Sequence, residues 1–144
     1  MKSVIKRTVK YLNKITSFWC ANDQKEALKE YRIYEIENLM NYFKIDENKS
    51  KNILDFGFGD GFQSHFFKKK NFNVSAIDIN KNVEMAENSI NFLVYDGKQI
   101  PYDDKKFDIV FSSNVLEHLT NLDQIQREIY RVLKDDGFCI HILP

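Results

Sequence analysis

Three glycines stand at alternate positions just after an acid, in the run Asn52-Ile-Leu-Asp-Phe-Gly-Phe-Gly-Asp-Gly61. Glycine carries no Cβ, so Gly57, Gly59 and Gly61 can take left-handed backbone and let a ligand lie against the main chain. The same run also makes a tight strand-to-helix turn. Asp55 is joined downstream by Asp78 and Asp96, each after an apolar stretch. Three such acids could hold a divalent cation, cap helices, or accept hydrogen bonds from a ribose diol. Gly57 and Asp78 are 21 residues apart, close to the ~20 between a nucleotide-binding glycine turn and its ribose acid. That spacing favours a ribose, and no metal is expected. A dinucleotide turn would place its third glycine at position 62. Phe62 stands there, and the third glycine is Gly61. Glu117 and His118 are adjacent and could act as an acid/base couple.

These side chains need strands to carry them. Ile53, Leu54 and Phe56 predict a buried first strand, and 62–70 a helix after the glycine turn. Residues 73–78 predict strand two, 81–88 a short helix, 90–95 strand three and 107–112 strand four. Leu122, Ile125, Ile129 and Val132 share one face of a helix over 122–133. Asn121 and Gln124 suit its N-terminal cap, and Lys134 and Gly137 its end. Strand five is expected over 138–143. Alternating strands and helices make an α/β, Rossmann-like, doubly wound parallel sheet. Its ligands sit beyond the strand C-termini, where the three acids fall.

The 144 residues suit one domain with a core, and the formal net charge of zero implies no broad polyanion-binding surface. No nucleic-acid partner is expected. Cys20 and Cys139 have neither zinc nor redox spacing, which fits a reduced, cytoplasmic protein. No run reaches the ~18 apolar residues of a membrane span. Residues 1–22 carry Lys2, Lys6, Arg7, Lys10 and Lys14 and no acid. The lysines recur every fourth residue, on one face of an amphipathic helix. That face is expected to be solvated, with attachment to an anionic membrane surface as the alternative. A second helix is expected over 25–43, with Ile33, Ile36, Met40 and Phe43 in one stripe and Phe18, Trp19, Tyr31 and Tyr34 near its start. The expected division is a helical extension over 1–48 and a binding domain over 49–144.

From Leu54 to Leu143 the chain resembles the class I S-adenosylmethionine-dependent methyltransferases of the small-molecule type. The matching segments are Leu54-Asp-Phe-Gly-Phe-Gly-Asp-Gly61, Ile77-Asp-Ile79, Tyr95-Asp-Gly97 and Ile100-Pro101-Tyr102. Phe107-Asp-Ile-Val-Phe-Ser-Ser-Asn-Val-Leu-Glu-His118 and Arg127-Glu-Ile-Tyr-Arg-Val-Leu-Lys134 with Gly137 complete them. The resemblance implies strand order 3-2-1-4-5 and S-adenosyl-L-methionine as methyl donor. It puts Gly57 and Gly59 beneath the donor's methionine part, with Asp55 and Gly61 in the same turn. Asp78 would take the ribose and Ile79 would lie against the adenine. Asp96 would accept from the adenine amine beside Gly97, and Asn114 would lie near the sulfonium. The Leu-Glu-His segment is shared by members with different substrates, which argues that Glu117 and His118 shape the donor side of the pocket.

The family sheet normally continues past strand five, whereas this sequence stops at Pro144. The C-terminal strands are therefore expected to be missing, leaving an open edge on strand five that invites self-association. Weak turnover on a small-molecule acceptor is the corresponding expectation. A non-catalytic nucleoside-binding module is the rival function, and a nicotinamide-dependent oxidoreductase is disfavoured by Phe62. Calorimetry with S-adenosylmethionine against NAD separates the last from the first.

Overall fold

A computed structural model of the chain describes residues 21–46, 50–80 and 90–144. The basic helix expected over 1–22 lies almost wholly outside them, as does the short helix expected over 81–88. The apolar run after Asn52 becomes strand β1 (Asn52–Phe56), with Ile53, Leu54 and Phe56 buried. The glycine turn leads into helix α2 (Phe62–Lys69), and then into β2 (Asn73–Asp78) and β3 (Asn91–Val94). Strand β4 (Phe107–Ser113) follows, then a 3-10 turn (Leu116–His118), helix α3 (Leu122–Val132) and β5 (Leu133–Ile142). All strand pairs are parallel, in the expected order β3-β2-β1-β4-β5.

One face of this sheet packs on α3. Leu54, Phe56, Ile77, Phe107 and Val110 meet Ile125, Ile129 and Val132, with Ile100 of the β3–β4 loop closing the cluster. On α2, Phe67 lies 5.0 Å from the Phe111 ring and 5.8 Å from Phe72. The end of α2 is a left-handed cap. Asn71 has φ 64°, and the Phe72 amide donates back to the Phe67 carbonyl.

Two compact units are present, Met1–Ile45 and Asp46–Pro144. In the first, helix α1 (Ala21–Tyr42) starts earlier than periodicity suggested and ends one residue sooner. Ile36 and Met40 are buried, but Phe43 of the expected stripe is 50% exposed. The chain turns at Lys44, φ 51°, and the Ile45 amide donates to the Met40 carbonyl. This is the closure glycine usually makes, formed here by lysine, a residue with no preference for it. Among the described residues no helix is long and apolar enough to cross a membrane.

Strand β5 departs most from expectation. It begins at Leu133, immediately after α3, where a cap over Lys134 to Gly137 was expected. Phe107 pairs with Leu133 and Ile109 with Phe138, so residues 134–137 bulge out of the ladder. Lys134 reaches back to the Asp108 carboxylate at 2.8 Å. Gly137 is not in the left-handed region. A Cβ there would come within 3.0 Å of the Lys134 and Phe107 carbonyl oxygens and 3.1 Å of that of Asp108. Its role is close backbone approach, not helix capping. Gly137→Ala should therefore lose about 1–3 kcal/mol in urea unfolding, as overpacking does. Gly137→Asn should lose at least as much. An asparagine variant as stable as wild type would restore the cap, since asparagine tolerates that conformation.

Candidate functional site

The site grows from the turn after β1. The Gly57 amide donates to the Ile77 carbonyl at 2.8 Å, carrying the β1–β2 ladder one step past the strand. The turn then needs left-handed backbone, and φ is 78° at Gly57 and 56° at Gly59. The two glycines differ in what a side chain would meet. A Cβ on Gly57 would overlap the Val115 side chain, whereas one on Gly59 would meet nothing within 4 Å. Gly57 thus lets the loop after β4 pack against the turn, and Gly59 offers bare backbone facing open space. Gly61 ends the turn at the N-terminus of α2, where the Phe62 amide donates to Asp60.

Asp78 fixes that backbone. Its Oδ2 accepts the Gly59 amide at 2.9 Å and its Oδ1 accepts the Asn80 amide at 3.0 Å. Ile79 follows with its side chain turned outward, 58% exposed. A Cβ on Gly97 would touch Ile79 Cγ2 at 3.4 Å, so the two meet across adjacent strand ends. Asp96 precedes Gly97. Its Oδ1 accepts the Lys98 amide at 2.9 Å and the Gln99 amide at 3.0 Å. The Gln99 and Lys98 amides hold its carboxyl below the usual carboxylate range.

Asp55 lies beneath this surface, fully buried. Its Oδ2 accepts the Ser64 hydroxyl of α2, and its Oδ1 has no hydrogen-bond partner among the described residues. Burial pushes the carboxyl up to about 7, against the Ser64 hydrogen bond, with the Asp78 and Asp60 charges adding to the rise. No sequence signal singled out Ser64, although it sits nine residues on, where α2 crosses back over β1.

On the β4 side, Asn114 has left-handed φ, 54°, and its amide donates to the Ile142 carbonyl at 2.9 Å. Glu117 and His118 share the 3-10 turn that follows. His118 Nε2 stands 3.9 Å from Glu117 Oε1, beyond hydrogen-bond reach, and its side chain is 77% exposed. His141 half-buries against Ser112, with Nδ1 2.7 Å from the hydroxyl, and burial lowers its pKa. Among the described residues no group of three His, Cys, Asp or Glu side chains could hold a metal ion.

Asn121 stands at the N-cap position of α3, as expected, but its side chain makes no capping hydrogen bond. Asn121 Nδ2 instead donates to the Gly97 carbonyl at 3.0 Å, and Gln124 Nε2 to the Lys98 carbonyl at 3.1 Å. Further along α3, Glu128 accepts the Ile100 amide and Arg131 donates to the Ile100 and Tyr102 carbonyls. The helix thus grips the loop bearing Asp96 and Gly97. Hydrophobic periodicity found the buried face of this helix and could not register its polar one.

The donor set suits a nucleoside that also carries a cation. Open glycine backbone, a carboxylate at its edge, an exposed isoleucine on glycine and a buried carboxylate oxygen without a donor among the described residues all adjoin one sheet edge. S-adenosyl-L-methionine has a ribose, a purine and an ammonium group to match them, so the residues fit it.

Residues 54–141 match the family model described as a methyltransferase domain. YrhH of Bacillus subtilis, assigned as a methyltransferase, is 32% identical over 136 residues, covering 88% of this chain and 73% of its own. A ubiquinone biosynthesis O-methyltransferase of Pelagibacter ubique is 29% identical, covering 95% of this chain and 64% of its own. The crystal structure of a Methanococcus maripaludis protein, assigned as an S-adenosyl-L-methionine-dependent methyltransferase, superposes with TM-score 0.64 at 26% identity. That match covers 73% of this chain and 52% of that one. The chain thus spans between half and three quarters of these proteins. Sheet order and family match together define a class I S-adenosylmethionine-dependent methyltransferase domain. The chain belongs to the methyltransferase-domain family.

Asp55 gives this site a pH signature. A carboxyl raised in the folded state binds its proton more tightly there than in the unfolded chain. Its ionisation costs the fold little near pH ~4, where the folded carboxyl is protonated and the unfolded one is only about half ionised. The cost grows as pH rises and is complete above the folded value of about 7. Asp55→Asn should equal wild type in stability at pH 4 and exceed it at pH 8, by on the order of 4 kcal/mol. Urea unfolding at both pH values checks this. A margin independent of pH would show that the carboxyl is not raised.

Proposed function

We propose that this chain binds S-adenosyl-L-methionine across the carboxyl ends of β1, β2 and β3 and directs its methyl group to a small-molecule acceptor. The observation that carries this is the continuous path from open Gly59 through Asp78 and Ile79 to Gly97. Each Asp78 oxygen accepts one backbone amide and keeps lone-pair capacity for a ribose hydroxyl. Ile79 offers the purine an apolar face beside Gly97. Asp96 uses Oδ1 for two amides, which leaves Oδ2 to accept from the adenine amine. Asp55 supplies its second oxygen, directly or through water, to the ammonium of the methionine part.

When bound, the donor supplies a sulfonium-linked methyl group for direct displacement. The chain's part is to orient it and keep water away. Gly57 and Gly59 set the floor of the methionine end, with Gly61 closing the turn, and Asn114 turns the chain beside the sulfonium. Glu117 and His118 shape the wall formed by the 3-10 turn, since their separation makes no proton relay. Alignment supplies the acceleration without an obligatory base. Relatives named for ubiquinone biosynthesis O-methylation favour a small acceptor, and the balanced charge favours it over nucleic acid.

Calorimetry should detect S-adenosylhomocysteine and no NAD, because Phe62 stands where a dinucleotide turn needs glycine. Asp78→Ala should weaken S-adenosylhomocysteine binding by roughly 1.5–3 kcal/mol, as loss of charge-assisted hydrogen bonds does. Tight NAD binding without response to S-adenosylhomocysteine would overturn the proposal.

A further inference from the structure

We infer that Asn121, Gln124, Glu128 and Arg131 are positioning residues, a polar ladder along α3 and its N-cap residue that sets the loop over 96–104 in the shape the donor's adenine end requires. The inference rests on the reading of the cleft as a donor site. The four positions are spaced three, four and three residues apart, so they form one stripe on a helix. Their partners rise along the loop in step. Asn121 holds the Gly97 carbonyl at 3.0 Å and Gln124 the Lys98 carbonyl at 3.1 Å. Glu128 holds the Ile100 amide at 2.9 Å. Arg131 holds the Ile100 carbonyl at 2.9 Å, the Tyr102 carbonyl at 2.8 Å and the Asp104 carboxylate at 2.7 Å. Arg131 also pairs with both Glu128 oxygens, at 2.9 and 2.7 Å. Charge-assisted pairs of this kind are strong and direction-specific. Ile100 is gripped at both its amide and its carbonyl while its side chain fills the core.

The rungs differ in what they do. Glu128 and Arg131 secure the distal half of the loop and the core beside it. Asn121 and Gln124 act on Gly97 and Lys98, directly beside Asp96 and the Ile79 contact. Asn121 also ends the segment that begins at Asn114. Its bond to Gly97 therefore ties the loop after β4 to the loop after β3, the two banks of the cleft. A side chain that merely capped α3 would bond its own helix amides, and Asn121 does not.

Asn121→Asp separates positioning from capping. Aspartate is as good a helix cap as asparagine and suits the positive end of the helix, but it cannot donate to the Gly97 carbonyl. The melting temperature should change little, because the capping gain offsets the lost bond. In the unliganded chain the Lys98 and Gln99 amides should exchange hydrogen about tenfold faster, and the Kd for S-adenosylhomocysteine should rise about tenfold, as loss of one hydrogen bond does. Gln124→Ala, which removes the Lys98 rung from an exposed position, should move both readouts the same way by about threefold, and it decides the matter if Asn121→Asp fails to fold. Unchanged exchange at Lys98 and Gln99 would overturn the ladder, as would faster exchange spread evenly over the sheet. If wild type binds no S-adenosylhomocysteine, the donor reading fails, and the exchange rates of the unliganded chain still decide the ladder.

Discussion

Parallel strands all end on one edge, and in this sheet the order reverses between β1 and β4. Loops on the two sides of β1 must therefore diverge, leaving a crevice at the carboxyl edge. Everything proposed for the site depends on how that crevice is kept open yet shaped. Its floor is main chain held by one carboxylate, Asp78, on the Gly59 amide at 2.9 Å. Val115 takes the space that Gly57 leaves, so the loop after β4 packs directly on the turn. The open part is confined to Gly59, and the packed part to its neighbour two residues earlier.

Charge is distributed to match. Asp78 and Asp96 bond to backbone amides near the surface, and the amides on Asp96 favour its ionised form. Asp55 is buried with one oxygen unpartnered among the described residues, and its burial favours the neutral form. A cationic ligand close to it would reverse that preference, since an opposite charge stabilises the carboxylate. The fold thus bears a cost in the free chain that a cation bound at this edge, as proposed, would relieve. The polar stripe on α3 then holds the loop over 96–104 against the same helix whose apolar stripe forms the core.

Much of this was visible in sequence for identifiable reasons. Alternate glycines after an apolar run have few conformational options, so the turn and its strands followed. The acids at positions 55, 78 and 96 fell on strand ends because the sheet is parallel. Three features escaped. The left-handed cap at Lys44 uses a residue with no preference for it. Asn121 and Gln124 had the pattern of a helix cap, but their side chains had nearer partners in a loop distant in sequence. Gly137 looked like a helix stop because it follows a helical stretch, whereas carbonyls of β4 define its place. In each case the deciding contact is long-range or atypical, and local propensity cannot weigh it.

The central claim is that the carboxyl edge of the sheet is built for the nucleoside and cation of S-adenosyl-L-methionine. A titration of the isotope-labelled chain with S-adenosylhomocysteine, followed by amide chemical shifts, tests it most directly. Saturable shifts are expected at Gly59, Asp78, Ile79 and Gly97. Little change is expected at Asn73, Ser75 and Lys106, which line a small pocket near the opposite edge. No shifts at saturating ligand, or shifts centred on that opposite edge, would contradict it.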